Sequence, residues 1–270
     1  MKVFLDGGLT EDSLIKDLLE PGFLFGWGVF ETLRVYNKKP AFLSEHIKRL
    51  RQGCERIFLE FPGIDFKKEI SRLLEENNLT NAYCRITVFK KRKSTGVMIY
   101  TADFKYYTDE DYKKGFKAVV SPIAKNSRHP LCGIKPISYL DSRYAWKIAQ
   151  DKGVEEAIFL NEKGFLAEGS RTNLFFIKGK TLFTPSLECG ILNGITRVKA
   201  IETIKSQGYR LEEGEFQLEG LLNSDEACLT SSLMEVMPLV EVEGKSIGSG
   251  KPGGISSDIL SGYRDLVARD

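Results

Sequence analysis

Between Phe165 and Arg197 the chain reads F-L-A-E-G-S-R-T-N-L-F-F-I-K-G-K-T-L-F-T-P-S-L-E-C-G-I-L-N-G-I-T-R. Two residues there can do chemistry. Glu168 places a carboxylate at the entrance to an apolar strand, Asn173 to Ile177. Thr196 stands where a helix opens, and the first N–H groups of a helix have no intrahelical acceptor and favour an anion. Elsewhere, His46 and Arg49 lie three residues apart on an expected helix and share a face. By itself Arg49 reads more readily as a solvated helix arginine than as an anion ligand. Three lysines compete for a role as an amine. Lys147 falls inside an exposed-looking helix, and Lys152 falls at its C-terminal end, where a cation is expected on dipole grounds. Lys135 precedes that helix, beside the apolar Ile134 and Ile137.

Taken as one ordered string, E-G-S-x-x-N-L-F, T-P-S-L and G-I-L-x-G-I-T-R resemble the signature of the class IV aminotransferases. These are fold-type IV enzymes that use pyridoxal 5'-phosphate (PLP). They include branched-chain and D-amino-acid aminotransferases and aminodeoxychorismate lyase. The resemblance runs from Phe23 to Pro238. It implies an α/β (α+β) fold of two domains with PLP in the cleft between them, and a homodimer. It implies that Lys135, in Gly-Ile-Lys, is the catalytic lysine that forms a Schiff base. It assigns Arg49, the backbone of Ile195 and Thr196, and Ser231 or Ser232 to the cofactor phosphate, and Glu168 to the pyridine nitrogen. Tyr139, one helical turn from Lys135, would meet the ring hydroxyl, although branched-chain enzymes place that tyrosine one residue further on.

The chemistry explains why such residue types are needed. A lysine near pH 7 is a cation and cannot attack a carbonyl, whereas one buried near other cations shifts toward the neutral amine. That amine can hold the cofactor aldehyde and later move the substrate α-proton. A carboxylate against the pyridine nitrogen keeps it protonated, so that the ring acts as an electron sink. A phosphate needs a guanidinium and several N–H or hydroxyl donors.

Substrate choice is less determined. Tyr83 and Arg85 resemble the Tyr-x-Arg near the substrate carboxylate of branched-chain enzymes, and Phe25 and Phe30 are further candidates for the substrate pocket. The Arg-x-His trap of typical D-amino-acid enzymes is absent after Tyr83. Arg171, where branched-chain enzymes carry a small residue, is either an inward carboxylate trap or a surface arginine. Leu-Thr-Ser-Ser-Leu-Met-Glu-Val-Met-Pro looks more like the lyases. The leading expectation is an aminotransferase that moves an amino group from an amino acid to a 2-oxo acid. The alternative is aminodeoxychorismate lyase, which yields 4-aminobenzoate and pyruvate.

These residues need elements to position them. Aromatic and β-branched residues over Phe23–Tyr36 read as strand. Ser44 is expected to cap a helix to Phe58, and Asp65 a second over Phe66–Asn77. Tyr83–Lys90 and Val97–Thr101 read as strands, Asp109–Lys114 as a short helix and Phe116–Ser121 as a strand. The polar stretch 121–132, with Pro122 and Pro130, reads as an interdomain linker. It divides a smaller N-terminal α/β domain, residues 1–120, from a larger PLP-binding domain, residues 133–270. There a helix to Lys152 is followed by strands at Glu155–Asn161, Asn173–Ile177 and Thr181–Thr184. A helix over Thr196–Gln207 ends at Gly208. Leu218–Leu222 reads as a helix, Ala227–Leu233 as a strand, and Ser257 as the cap of a last helix.

The 270 residues suffice for two modest cores. With 39 basic and 37 acidic residues, the charge balance gives no reason to expect nucleic acid or an anionic membrane. No long apolar run suggests a membrane span, and the first twelve residues do not read as a signal peptide. Five cysteines, none as Cys-x-x-Cys, argue against a disulfide framework or a zinc site and point to the cytoplasm. Two histidines are too few for a histidine-based metal site.

Overall fold

The computed structural model describes residues 1–270, the side chain of Leu14 excepted. The chain begins with a hairpin, β1 (Lys2–Leu5) and β2 (Gly8–Glu11), and a helical turn, α1 (Pro21–Leu24). A four-stranded antiparallel sheet follows: β3 (Gly28–Tyr36), β4 (Lys39–Pro40), β5 (Ala82–Lys90) and β6 (Thr95–Ala102), in the order β4-β3-β5-β6. The helices α2 (Leu43–Arg56) and α3 (Phe66–Glu76) cover one face.

Period-two alternation decides what each face does. In β5, Ala82, Cys84, Ile86 and Val88 are fully buried in the core beneath α2 and α3. Tyr83, Arg85 and Thr87 therefore face the other way. Across the register, Thr87 pairs with Phe30, Arg85 with Thr32 and Tyr83 with Arg34, so β3 adds Phe30, Thr32 and Arg34 to that second face.

The rest of the chain adds α4 (Asp109–Lys114), β7 (Phe116–Val120), α5 (Leu140–Asp151), β8 (Glu156–Leu160), β9 (Leu166–Gly169), β10 (Asn173–Lys178) and β11 (Thr181–Pro185). Then come α6 (Ile195–Ser206), β12 (Arg210–Gly214), α7 (Leu218–Leu222), β13 (Glu226–Ser231), β14 (Glu235–Val242), β15 (Lys245–Ser246) and α8 (Gly254–Arg269). Their nine-stranded mixed sheet runs β12-β11-β10-β13-β14-β7-β8-β9, with β15 on β14. Among the described residues no helix is long and apolar enough to cross a membrane.

Several boundaries differ from expectation for physical reasons. The strand expected from Phe23 begins only at Gly28, as β3, because Pro21–Leu24 winds into a helical turn with proline at its start. Ser44 does not cap α2. The helix starts after Phe42, held left-handed at φ 53°. There the Phe42 N–H donates to Asp270 at 2.7 Å and the ring packs on Tyr263, so tertiary burial overrides cap preference. Asp65 does cap α3, accepting from the Lys68 N–H at 3.0 Å. Ser257 lies inside α8; the carboxylate of Glu226 serves that helix instead, accepting from the N–H groups of Ile255 and Ser256.

β7 lies inside the large sheet, parallel to both β14 and β8, so the sheets part before Phe116 rather than at residue 120. Residues 121–132 are not a free tether. The Ser121 N–H donates to the Ile158 carbonyl and that of Lys125 to the Leu160 carbonyl, both at 2.8 Å. The N- and C-terminal parts meet along a backbone pairing at the start of β3: Phe30 N–H donates to the Lys135 carbonyl at 2.9 Å, and Ile137 N–H to the Gly28 carbonyl at 3.0 Å.

Candidate active site

That pairing positions Lys135. Its backbone extends β3 like a short extra strand, and its side chain turns into a cavity of about 850 Å³ walled by the exposed face of β3 and β5 on one side and the large sheet on the other. The ammonium lies 4.6 Å from the Phe30 ring centroid and 5.1 Å from that of Tyr139. Burial, then the nearby Arg49 guanidinium, pushes the Lys135 amine down to about 8. Phe30 is also capped on a face by Arg85, whose guanidinium carbon lies 3.6 Å from the ring centroid.

Glu168, at the end of β9, lines the same cavity and is buried. Its Oε2 accepts from the Leu192 N–H at 2.9 Å and from Asn173 Nδ2 at 3.1 Å. Its Oε1 pairs with the Lys125 ammonium. Asn173 in turn grips the Leu192 carbonyl at 2.8 Å, and a Cβ on Gly194 would meet Asn173 Oδ1 at 2.0 Å. Glycine is therefore required where the loop before α6 crosses Asn173.

A second part of the cavity wall collects donors that have no partner among the described residues. Helix α6 begins at Ile195 with no side-chain cap, so the first N–H groups, those of Ile195 and Thr196 among them, have no intrahelical acceptor. Thr196 Oγ1 and Thr230 Oγ1 are buried without a hydrogen-bond partner. Arg49 donates from Nε to Glu31 Oε1 at 2.7 Å, from Nη2 to Glu31 Oε2 at 2.6 Å and from Nη1 to the Asn193 carbonyl at 2.9 Å. The guanidinium has five N–H donors, so two remain for a ligand. Arg197, by contrast, is structural: buried, it binds Glu213 at 2.6 Å and the Pro185 carbonyl at 3.0 Å.

The sequence-derived candidates thus converge, with one exception. Lys135, Arg49, Glu168, Tyr139, Ile195, Thr196, Ser231, Ser232, Tyr83, Arg85, Arg171 and Phe30 all line the cavity. Phe25 does not. It follows the end of α1, is 74% exposed, and lies outside the cavity because the strand carrying Phe30 begins only at Gly28. Tyr139 and Lys135 do not share a helix either. Lys135 is extended, Tyr139 precedes α5, and its hydroxyl donates to the Ser170 carbonyl at 3.0 Å. Arg171 is half-buried and lies against the Trp146 ring at 4.5 Å, with Nη2 donating to the Glu155 carbonyl at 3.2 Å and Nε buried without a partner.

Four contributors escaped the sequence reading: Glu31, Lys125, Asn173 and Glu156. Glu156 is buried and collects the Ser170 N–H at 3.0 Å and the Thr172 hydroxyl at 3.1 Å, fixing the turn after Glu168. Glu31 left a signal. In β3 the inward phase reads Val29, Glu31, Leu33, Val35, and a lone carboxylate among core residues demands partners. Lys125 left none, since it sits in a polar stretch without periodicity.

The chain resembles known proteins in sequence and fold. Residues 28–242 match the family described as amino-transferase class IV. The chain is 32% identical over 260 residues to an aminodeoxychorismate lyase of Bacillus subtilis, covering 92% of this chain and 88% of that one. It is 29% identical over 276 residues to a D-alanine aminotransferase of Bacillus licheniformis, covering 99% and 97%. The fold superposes with a TM-score of 0.83 on a branched-chain aminotransferase of the thermophilic archaeon Thermoproteus uzoniensis solved with norvaline, at 30% identity, covering 100% of this chain and 96% of that one. This fold, and a sequence match that spans residues 28–242, make the chain a member of the class IV aminotransferase family.

Proposed function

We propose that the protein is a PLP-dependent enzyme that moves an amino group from an amino acid to a 2-oxo acid. The observation that supports this most is the placement of three groups on one cavity: the depressed amine of Lys135, the buried carboxylate of Glu168, and the donors of Arg49 and the α6 N-terminus. Their chemistry fits the cofactor. Arg49, the Ile195 and Thr196 N–H groups and the Thr230–Ser232 turn would hold its phosphate, Glu168 would serve its ring nitrogen, and Lys135 Nζ would be its point of covalent attachment. When bound, the cofactor supplies an electron sink for a carbanion at the substrate α-carbon.

The chain's own residues do the rest. Lys135 Nζ, freed when the donor's amine takes its place, would remove the donor's α-proton, and in the second half-reaction it would give a proton to the α-carbon of the acceptor. Glu168, anchored by two N–H donors on Oε2, keeps its charge directed at one point of the cavity. Tyr83 and Arg85 face the substrate, and Phe30 forms an apolar partition between Arg85 and Lys135.

Charge balance narrows the substrate. Among the described residues, Arg49 has Glu31 as an ion-pair partner, whereas Arg85, Arg143 and Arg171 line the cavity with no carboxylate in ion-pair contact. Three unpaired guanidiniums suit a substrate with two carboxylates, such as glutamate or 2-oxoglutarate. They equally suit aminodeoxychorismate, and similarity to the Bacillus subtilis lyase keeps elimination as the second reading. Holoenzyme incubated with a panel of L- and D-amino acids plus 2-oxoglutarate should form glutamate. Release of pyruvate and 4-aminobenzoate from aminodeoxychorismate without any acceptor would overturn transamination in favour of the lyase. We place the protein in a reducing, cytoplasmic setting, supported by five free thiols. We also read it as a homodimer, supported by the exposed apolar side chains of Phe23, Phe25, Met98 and Tyr100.

A further inference from the structure

Glu31 is almost wholly buried on the helix side of β3, and among the described residues its carboxylate pairs with two side chains, both of which lead to the donor-rich part of the cavity. One branch runs to Arg49, which it binds through two N–H···O contacts of 2.7 and 2.6 Å. The other runs to His46, equally buried, whose Nδ1 lies 2.7 Å from Glu31 Oε2. His46 Nε2 then lies 3.4 Å from Ser232 Oγ. A single carboxylate therefore joins α2 to the Ser232 turn through histidine, and to the loop before α6 through the Arg49 contact with the Asn193 carbonyl. All three segments that form the anion site are tied to it.

Proton bookkeeping sets the direction of this chain. Burial alone would raise the Glu31 pKa, but the Arg49 guanidinium more than offsets it and holds the carboxyl at about 2. An ionised carboxylate only accepts, so His46 Nδ1 must carry a proton toward it. Burial pushes His46 below its usual value, which leaves the ring neutral and Nε2 an acceptor. Ser232 must then donate its one hydroxyl hydrogen to Nε2 and has none left for an anion.

We infer that Glu31 and His46 are positioning residues for the cofactor phosphate: Glu31 aims the two free N–H donors of Arg49, and His46 fixes the Ser232 turn so that it offers backbone N–H rather than its hydroxyl. The inference rests on the PLP reading above and assigns roles to two residues that do not themselves touch the ligand.

The test compares PLP with pyridoxal, which lacks the phosphate, by titrating each into cofactor-free protein and following absorbance. For Glu31→Gln the PLP Kd should rise about 10- to 100-fold, the weight of one hydrogen bond to a charged group, while the pyridoxal Kd stays within about threefold of wild type. Inorganic phosphate should likewise raise the melting temperature of the wild type and not that of Glu31→Gln. Should Glu31→Gln fail to fold, His46→Asn decides. It keeps a donor toward Glu31 and loses the link to Ser232, and its PLP Kd should rise about 3- to 10-fold with pyridoxal unchanged. Equal losses for both ligands would mean a merely structural role and overturn the inference, as would no loss for either. Wild-type protein that binds neither PLP nor pyridoxal would instead defeat the PLP reading itself.

Discussion

At the scale of single residues, environment decides which lysine is reactive. With its amine at about 8, roughly one Lys135 in ten is neutral at pH 7, against roughly one in three thousand for an ordinary lysine. Lys147 pairs with Asp151 on an exposed helix face and gains nothing of the kind. Since only a neutral amine can attack an aldehyde, the proposed role of Lys135 requires that the rate of PLP uptake by cofactor-free protein climb as pH rises through about 8 and flatten above it. A stopped-flow pH series checks this, and Lys135→Ala should abolish the slow covalent phase at every pH. Lys135, Arg49 and Glu168 were legible because each sits in a distinctive local string. Glu31 and Lys125 were not, since their roles come from partners 18 and 43 residues away.

At the scale of elements, the site depends on close approach more than on regular structure. The long strands and helices followed from alternation and from helical spacing in the sequence, and Asp109–Lys114 and Leu218–Leu222 stand where those patterns placed them. β14 was not legible as a central strand. Nearly every residue in it is buried, so it shows no alternation, and Pro238 interrupts it. The start of α6 is the element on which the proposed cofactor binding turns. Gly194→Ala would drive a methyl into Asn173, displace that side chain from Glu168 and shift the helix N-terminus. Equilibrium titration should show PLP affinity falling at least about tenfold, the order expected from losing one hydrogen bond to a charged group.

At the scale of the whole molecule, the two sheets are held together by a buried carboxylate. Glu235, at the start of β14, accepts from the Tyr36 hydroxyl at 2.8 Å and the Tyr112 hydroxyl at 3.0 Å, and pairs with Arg264 at 2.7 Å and Arg34 at 3.3 Å. Tyr36 and Arg34 come from β3 of the small sheet, whereas Tyr112 comes from α4 and Arg264 from α8. Glu235→Ala would strand Arg34 and should cost about 3–5 kcal/mol in urea denaturation, the penalty for breaking a buried ion pair. Acid should act through the same contacts. Glu31 and Glu235 both have depressed pKa values in the fold, so their contribution is complete above the ordinary carboxylate value. It is lost as pH falls below about 4.5, the ordinary value, toward the Glu31 value of about 2, and thermal midpoints should drop across that window.

All of these roles presuppose one covalent attachment point. Protein loaded with PLP, reduced with borohydride and digested should carry the label on the peptide containing Lys135 and on no other. A label on Lys125, which lies beside Glu168 in the same cavity, or no label at all, would contradict the account.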